Sequence, residues 1–238
     1  MKSLIFKPWK AQAIHESNPD IEWQTRRLIK PQPIPIVSEL KEHSSAAGYW
    51  IPYSEDRRIV NNNPGSRKDD CGYYCPYSIG EQVYIKESFK YIDFCLLDIG
   101  ELHPRVKVEY KADNTQEWVK GDVKTQITIP DKWRPSIFMP AWAARTVVTI
   151  TGVGAQRVQD ISEDDAIAEG LVHNAFWDMW ESPLHSGSLI DWYKTAFKQL
   201  WDSMHGPGSW ERNDWVWKYS FIRRGYETTE SHRDTSSY

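Results

Sequence analysis

The sequence has few cysteines and no long apolar segment, and these two absences limit the class of protein. It contains 3 cysteines in 238 residues. A small, odd number argues against a disulfide framework and indicates a reducing compartment. The sequence contains no secretory apolar region and no apolar run long enough to span a bilayer. We therefore expect a cytoplasmic protein that makes no contact with a membrane.

The sequence also lacks an excess of positive charge and the common cofactor motifs. Its 29 Lys and Arg against 33 Asp and Glu give a net charge of −4. Any contact with a polyanion therefore requires a local basic patch. Cys71 and Cys75 are close in sequence, but no histidine pair completes a zinc set, and neither a Walker loop nor a dinucleotide fingerprint occurs. The sequence predicts no metal site and no cofactor.

Tryptophan is abundant, with 13 copies. Aromatic rings build cores first, but they also stack on nucleic-acid bases. One aromatic stripe, on alternating positions of a predicted strand, is Trp215, Trp217, Tyr219 and Phe221. A second aromatic segment begins at Trp133 and runs through a proline-rich loop to Arg145. Each is either core or a stacking surface, and the loop is the better ligand candidate because loops more often carry function.

Periodicity and helix-breaking residues predict more strands than helices. Strands are expected at 3–6, 80–89, 105–111, 145–158 and 215–222, and helices at 8–16, 162–169 and 188–204. Strands without βαβ alternation favour an α+β protein built on a small β-barrel flanked by helices. We expect residues 1–224 to form one domain, with a long loop-rich insertion at 31–79 and a polar, disordered tail at 225–238.

The predicted helix at 162–169 begins at Ser162, ends before Gly170 and carries two carboxylates on one face. Asp165 and Glu169 are four positions apart, so they repel each other. Glu169 also lies in the last turn, where the helix dipole disfavours negative charge. Both effects favour a carboxyl group that takes up a proton, as general acid–base catalysis requires. The alternative is a solvated acidic face with a structural role.

A further carboxylate, Glu87, follows Lys86 in the sequence and lies in the register of an apolar strand face. Strand alternation places Glu87 on the same face as Val83 and Ile85, where an unpaired charge is unfavourable. We therefore expect a cationic partner for Glu87, with Arg26 or Arg27 as the candidates. Such a pair either lines a pocket or is a structural salt bridge.

Residues 24–27, Gln-Thr-Arg-Arg, place a hydroxyl beside two fixed cations. Arginine side chains suit phosphate and other planar anions, so Arg26 and Arg27 either bind phosphate or pair with the acidic helix. The Thr25 hydroxyl can donate, accept or attack, but a nucleophile needs an adjacent base. Threonine is also a common strand residue, so Thr25 has a structural interpretation as well.

This segment resembles the signature of the ASCH domains, which are small barrels related to the PUA fold. The resemblance is to the longer prophage-encoded members and extends in order over most of 1–224. Other similar stretches are Lys7-Pro8-Trp9, Cys75-Pro76-Tyr77 and residues 110–113, 133–145 and 159–170. The resemblance implies a PUA-like barrel with a nucleotide-sized cleft, in the cytoplasm of a bacterial host.

Members of the ASCH family differ in activity. One bacterial branch hydrolyses the amide of acetylated cytidine with a lysine, a threonine and a glutamate; another member is a ribonuclease, and eukaryotic relatives bind nucleic acid. The resemblance carries the threonine to Thr25 and the glutamate to Glu169. Glu22 occupies the lysine position and Trp23 the first threonine position, so the sequence departs from the signature there. The lysines nearest in sequence are Lys7, Lys10 and Lys30.

The leading hypothesis is a phage-derived protein that binds a nucleoside or single-stranded nucleic acid in its cleft. The enzymatic alternatives are an amidohydrolase acting on acetylated cytidine and a ribonuclease, each with Thr25 and Glu169 catalytic. The third hypothesis is a non-catalytic factor that binds a protein partner through residues 31–79. The expected ligand-binding residues are Trp23, Gln24, Arg26, Arg27, Lys86, Glu87, Trp133 and Arg145.

Overall fold

The computed structural model describes residues 1–33, 37–44, 46–53, 72–95, 105–120, 132–171 and 189–224. The helices are α1 (Pro8–Glu16), α2 (Glu163–Ala168) and α3 (Leu189–His205). The strands are β1 (Lys2–Ile5), β2 (Glu22–Leu28), β3 (Glu39–His43), β4 (Ala46–Tyr53), β5 (Tyr73–Tyr74), β6 (Gln82–Lys86), β7 (Phe89–Cys95), β8 (Arg105–Tyr110), β9 (Gln116–Lys120), β10 (Val147–Arg157) and β11 (Trp215–Arg223). The expected mixture of many strands and few helices is confirmed. The predicted tail at 225–238 lies outside the described residues.

A five-stranded sheet in the order β1-β6-β10-β11-β2 forms the centre of the molecule. β1 pairs with β6 in parallel, and the other pairs are antiparallel. Thr25 on β2 lies opposite Tyr219 on β11, and Arg27 lies opposite Trp217. The aromatic side chains of β11 are buried, which supports their interpretation as core; they are Trp215, Trp217, Tyr219 and Phe221.

The central sheet is open among the described residues, so the predicted closed barrel is not observed. β1 and β2 are the two edge strands, and a ladder between them would be needed for closure. The two edges nevertheless approach each other. Arg27 Nη2 on β2 donates to the carbonyl of Ile5 on β1 at 2.5 Å. The sheet therefore curls until its edges meet through a side chain, with no backbone ladder joining them.

Two smaller sheets, in the orders β3-β4-β5 and β7-β8-β9, correct the predicted outline. The first lies within the segment expected to be loop-rich, and its Leu40 and Trp50 pack on the core beside Trp217. β3 is mostly polar and β5 has only two residues, while β4 contains Gly48 and Pro52, which are rare inside strands. None of the three therefore has a clear alternating pattern. The strand predicted at 80–89 is two strands, and β7 belongs to a different sheet from β6.

α1 follows the predicted boundaries because Pro8 occupies its first turn, where a missing N–H is tolerated. Its buried residues are Lys10, Ala11 and Ile14, so a charged side chain lies on the inward face. α3 buries Phe197 and Trp201 against the core. No helix in the described part of the chain is long and apolar enough to cross a membrane.

α2 is placed by its two ends. The Ser162 hydroxyl accepts from the backbone N–H of Asp165 at 3.1 Å, as the predicted N-cap requires. Gly170 has φ +96°, and a Cβ there would come within 3.0 Å of the Trp9 ring and 3.2 Å of the Trp23 ring. Only glycine fits both this conformation and this contact. The close approach brings the C-terminal end of α2 against the region of α1.

Candidate functional site

A cavity of about 430 Å³ is lined by residues of β1, β2, α1 and α3, by residues 6–7 and by the end of α2. Small-molecule pockets span roughly 300–1,000 Å³, so its volume suits a small ligand. We call it the first cavity. Its apolar lining consists of Ile5, Phe6, Trp9, Phe197, Leu200, Trp201 and Met204. Its polar lining consists of Lys7, Lys10, Thr25, Arg26, Arg27, Glu169, Ser203 and His205.

Lys10 and Glu169 form a buried ion pair at the cavity wall. Lys10 Nζ lies 2.6 Å from Glu169 Oε2, and each side chain is 6% exposed. The same ammonium donates to the carbonyl of Gln24 at 2.7 Å. Burial lowers the pKa of Lys10, and the nearby arginine charges act in the same direction, while Glu169 opposes them. An amine with a lowered pKa is suited to proton transfer.

Arg26 lies between the two carboxylates of α2, so the repulsion expected between them is offset. Arg26 Nη1 donates to Glu169 Oε1 at 3.1 Å, and its Nη2 lies 2.7 Å from Asp165 Oδ2. Lys218 Nζ lies 2.6 Å from Asp165 Oδ1. Burial alone would raise the pKa of Asp165, but the hydrogen bond from Lys218 and the charge of Arg26 hold it below its ordinary value.

These contacts contradict the interpretation of Asp165 and Glu169 as a solvated acidic face. Both side chains are buried, and both oxygens of Glu169 accept hydrogen bonds from cations, Lys10 and Arg26. A carboxylate held in this way orients its partners. Within this cluster the side chain suited to exchange a proton is therefore Lys10, because its pKa is lowered.

Thr25 lines the same cavity as Glu169, although 144 positions separate the two in the sequence. Thr25 is 4% exposed. Its backbone belongs to the ladder with β11. Among the described residues, none forms a hydrogen bond with its hydroxyl. The hydroxyl is therefore available to a ligand in the cavity.

Arg27 presents a cation to the cavity without a matching acid. Its guanidinium donates to the Ile5 carbonyl and lies 5.2 Å from the centre of the Phe6 ring. Burial lowers the pKa of Arg27. In the described part of the chain, no carboxylate forms a salt bridge with it. The alternative left open by the sequence, pairing with the acidic helix, thus applies to Arg26 and not to Arg27.

Glu87 and Arg145 lie outside the cavity and pair with each other. Arg145 Nη2 and Nε donate to Glu87 at 2.7 Å and 3.0 Å, and Arg145 Nη1 donates to Asp113 at 2.7 Å. The expectation that Arg26 or Arg27 would pair with Glu87 is therefore wrong. Burial opposes the charge of Arg145, but its hydrogen bonds with Glu87 and Asp113 raise the pKa of Arg145 above its ordinary value.

Four other predicted ligand-binding residues do not line the first cavity. Lys86 donates to the carbonyl of Ile137 at 2.8 Å. Trp133 lies beneath the ammonium of Lys90, 5.0 Å from the ring centre. Trp23 is a core residue, and Gln24 is buried beside it in the sequence. Gln24 takes part in the site through its backbone carbonyl, which accepts from Lys10, and through a side-chain hydrogen bond with Asp165.

The residue that sequence reasoning did not place is Lys10. The lysine position of the ASCH signature holds Glu22, which is exposed and accepts a hydrogen bond from the Thr151 hydroxyl at 2.6 Å. The lysine that pairs with Glu169 is Lys10, which lies on the preceding helix, α1. Its signal was helical spacing, because Lys10 and the buried Ile14 are four positions apart and share a face.

In comparisons with protein-family models, with curated proteins and with solved structures, the chain finds no match. The described residues also contain no group of three or more His, Cys, Asp or Glu that could hold a metal ion. What the site can do chemically must therefore be argued from its side chains.

Proposed function

We propose that this protein is an amidohydrolase that removes an acyl group from the exocyclic nitrogen of a modified pyrimidine nucleoside. One observation carries the proposal. An ammonium, a hydroxyl and a carboxylate, those of Lys10, Thr25 and Glu169, line one cavity, and the ammonium lies 2.6 Å from the carboxylate. These are the side-chain types used by the ASCH amidohydrolases, with the lysine contributed by α1 rather than by position 22.

The lowered pKa of Lys10 defines its role. In its neutral form the amine takes the proton of the Thr25 hydroxyl as that oxygen attacks the amide carbon. The ammonium then returns the proton to the departing exocyclic nitrogen, and an acyl ester remains on Thr25. Water hydrolyses the ester, which releases a carboxylic acid and restores the hydroxyl. Glu169 orients Lys10 throughout.

The apolar lining suits the base of the nucleoside. Phe6, Trp9, Phe197 and Trp201 line the same cavity as the three polar groups. Aromatic walls stack on planar bases and exclude water from the reacting bond. A planar aromatic ligand with a polar substituent therefore matches both parts of the lining.

The fold is proposed to be an open variant of the PUA-like barrel of the ASCH family. The curled central sheet supports this proposal, because its edge strands approach each other at the Arg27–Ile5 hydrogen bond. Both edge strands contribute residues to the first cavity. The cavity thus occupies the seam at which a closed barrel would have a backbone ladder.

The test is turnover of N4-acetylcytidine, with cytidine and acetate measured by liquid chromatography. Thr25→Val keeps the shape of the side chain and removes the hydroxyl, and Lys10→Met removes the amine. Each is expected to lower kcat/KM by about 100-fold or more, the usual scale for loss of an acid–base group or nucleophile. Lys198→Met, which removes an exposed lysine outside the cavity, is the matched control and should keep the wild-type rate.

Thermal melting of each variant separates loss of chemistry from loss of folding. A folded Thr25→Val variant with an unchanged rate would disprove the mechanism. If the wild-type protein binds cytidine or acetylcytidine without turnover, the amidohydrolase proposal fails and the hypothesis of a nucleoside-binding protein takes its place.

A further inference from the structure

A second cavity of about 390 Å³ shares two residues, Ile5 and Arg27, with the first. Like the first, it is lined by residues of both edge strands, β1 and β2. It also reaches Tyr77 and the aromatic face of β11. The two cavities therefore adjoin at these two residues, and the Arg27–Ile5 contact marks the junction between them.

The junction carries a cation with unused donors. A guanidinium has five N–H donors, and Arg27 uses one of them on the Ile5 carbonyl. No carboxylate within the described residues forms a salt bridge with Arg27. Its planar group is suited to bind an oxyanion at two points. Arg27 is half-buried, and an anionic ligand group would offset the cost of removing part of its charge from water.

The second cavity has the composition of a site for another nucleotide. Tyr74 presents a ring that is 79% exposed, and Lys30 adds a second cation. None of the described residues that line this cavity is acidic. Exposed aromatic rings beside cations are the usual means of binding a base and its phosphate in single strands.

We propose that the preferred ligand is a single-stranded oligonucleotide, with the modified nucleoside in the first cavity, its phosphodiester on Arg27 and the next nucleotide in the second cavity. This inference rests on the proposed function, since it names the substrate class of the same site. This arrangement favours a polynucleotide over a free nucleoside, because Arg27 has unused donors at the junction and the second cavity adjoins the first there.

The test compares the affinities of cytidine, 5′- and 3′-cytidine monophosphate and the dinucleotide CpC by isothermal titration calorimetry. CpC is expected to bind about tenfold tighter than cytidine, on the scale of one charge-assisted phosphate contact. Its affinity should fall with salt with a logarithmic slope of about −0.7, as one phosphate contact to a single strand requires. A monophosphate should show part of this gain.

Two variants identify the residues. Arg27→Met should bind CpC and cytidine with nearly equal affinity. Arg27→Lys should keep part of the preference for CpC. Tyr74→Ala should weaken the binding of CpC and leave the affinity for cytidine unchanged, because Tyr74 lines the second cavity and not the first. Arg212 is exposed and lies outside both cavities, so Arg212→Met is the matched control. It should change the affinity for neither ligand. Thermal melting verifies that each variant is folded.

The outcomes distinguish this inference from the function on which it rests. Equal affinities for cytidine and CpC would overturn the inference while leaving the nucleoside hydrolase intact. Equal affinities for a monophosphate and CpC would overturn the role of the second cavity. If no ligand binds and acetylcytidine is not turned over, the proposed function itself fails.

Discussion

Two buried ion-pair clusters in this protein are built from the same kinds of side chain but differ in what lies beside them. The first, which we call the open cluster, joins Lys10, Arg26 and Lys218 to Glu169 and Asp165. Three of its residues line the first cavity, namely Lys10, Arg26 and Glu169. The second, the closed cluster, joins Arg145 to Glu87 and Asp113. Its residues line neither cavity.

The sign of the charge also differs between the clusters. Among the described residues, the open cluster holds three cations and two carboxylates, and Arg27 adds another cation nearby. Within the same part of the chain, the closed cluster holds one cation between two carboxylates. Arg145 is thereby saturated with acceptors, which suits a structural role. By this comparison the open cluster is the better candidate for a functional site, because it borders a cavity and its charges are incompletely matched.

The largest expected effect is a loss of stability without a loss of turnover, and it distinguishes the closed cluster from the open cluster. Arg145→Met leaves Glu87 buried without its cation, so we expect the free energy of unfolding to fall by about 3–5 kcal/mol. Turnover per folded molecule should stay near that of the wild type. Urea unfolding and acetylcytidine hydrolysis measure the two quantities. Arg212→Met, which breaks an exposed ion pair, is the control and should cost about 1 kcal/mol or less.

The opposite pattern, an unchanged stability and a lost activity in Arg145→Met, would move the active site to the closed cluster. For Lys10→Met, in the open cluster, we expect the reverse of the result for Arg145→Met: the main loss is in turnover and not in the free energy of unfolding.

An intermediate effect is expected in the pH dependence of turnover. Lys10 must be neutral to act as a base, so kcat/KM should rise with pH through a pKa below its ordinary value of 10.5. Glu169 raises the pKa of Lys10, so Glu169→Gln should move this rise to lower pH as well as reduce the maximum rate. Asp113→Asn, in the closed cluster, should leave the position of the rise unchanged. If kcat/KM rises at the same pH in Glu169→Gln as in the wild type, a group other than Lys10 controls the rise.

The smallest effect is expected at position 22, where the ASCH signature has its lysine. Glu22→Ala should change the free energy of unfolding by about 0.5 kcal/mol or less, as for other exposed positions. Turnover should be unaffected, because Glu22 points to Thr151 and does not line the cavity. A tenfold change in rate would place position 22 at the ligand and weaken the assignment of Lys10.

Local features of the fold could be predicted because their causes lie within a few residues. Pro8 begins α1, Ser162 caps α2 and Gly170 ends it, each through backbone geometry or a single hydrogen bond. The buried register of Glu87 also followed from strand alternation alone. The partner of Glu87 could not be predicted in this way, because the choice between Arg26 and Arg145 depends on which strands are neighbours in space.

The sequence by itself determined the three helices and five of the eleven strands that the structure describes, the aromatic face of β11 and the candidate types of reactive side chain, since these depend on periodicity and on residue chemistry. These five strands are β1, β6, β8, β10 and β11. The tertiary structure alone decided that Lys10 meets Glu169, that Arg27 is without a carboxylate partner among the described residues, and that two cavities share one arginine. The physical reason is distance along the chain. These contacts join residues far apart in the sequence, and only the curl of the central sheet and the close approach at Gly170 bring them together.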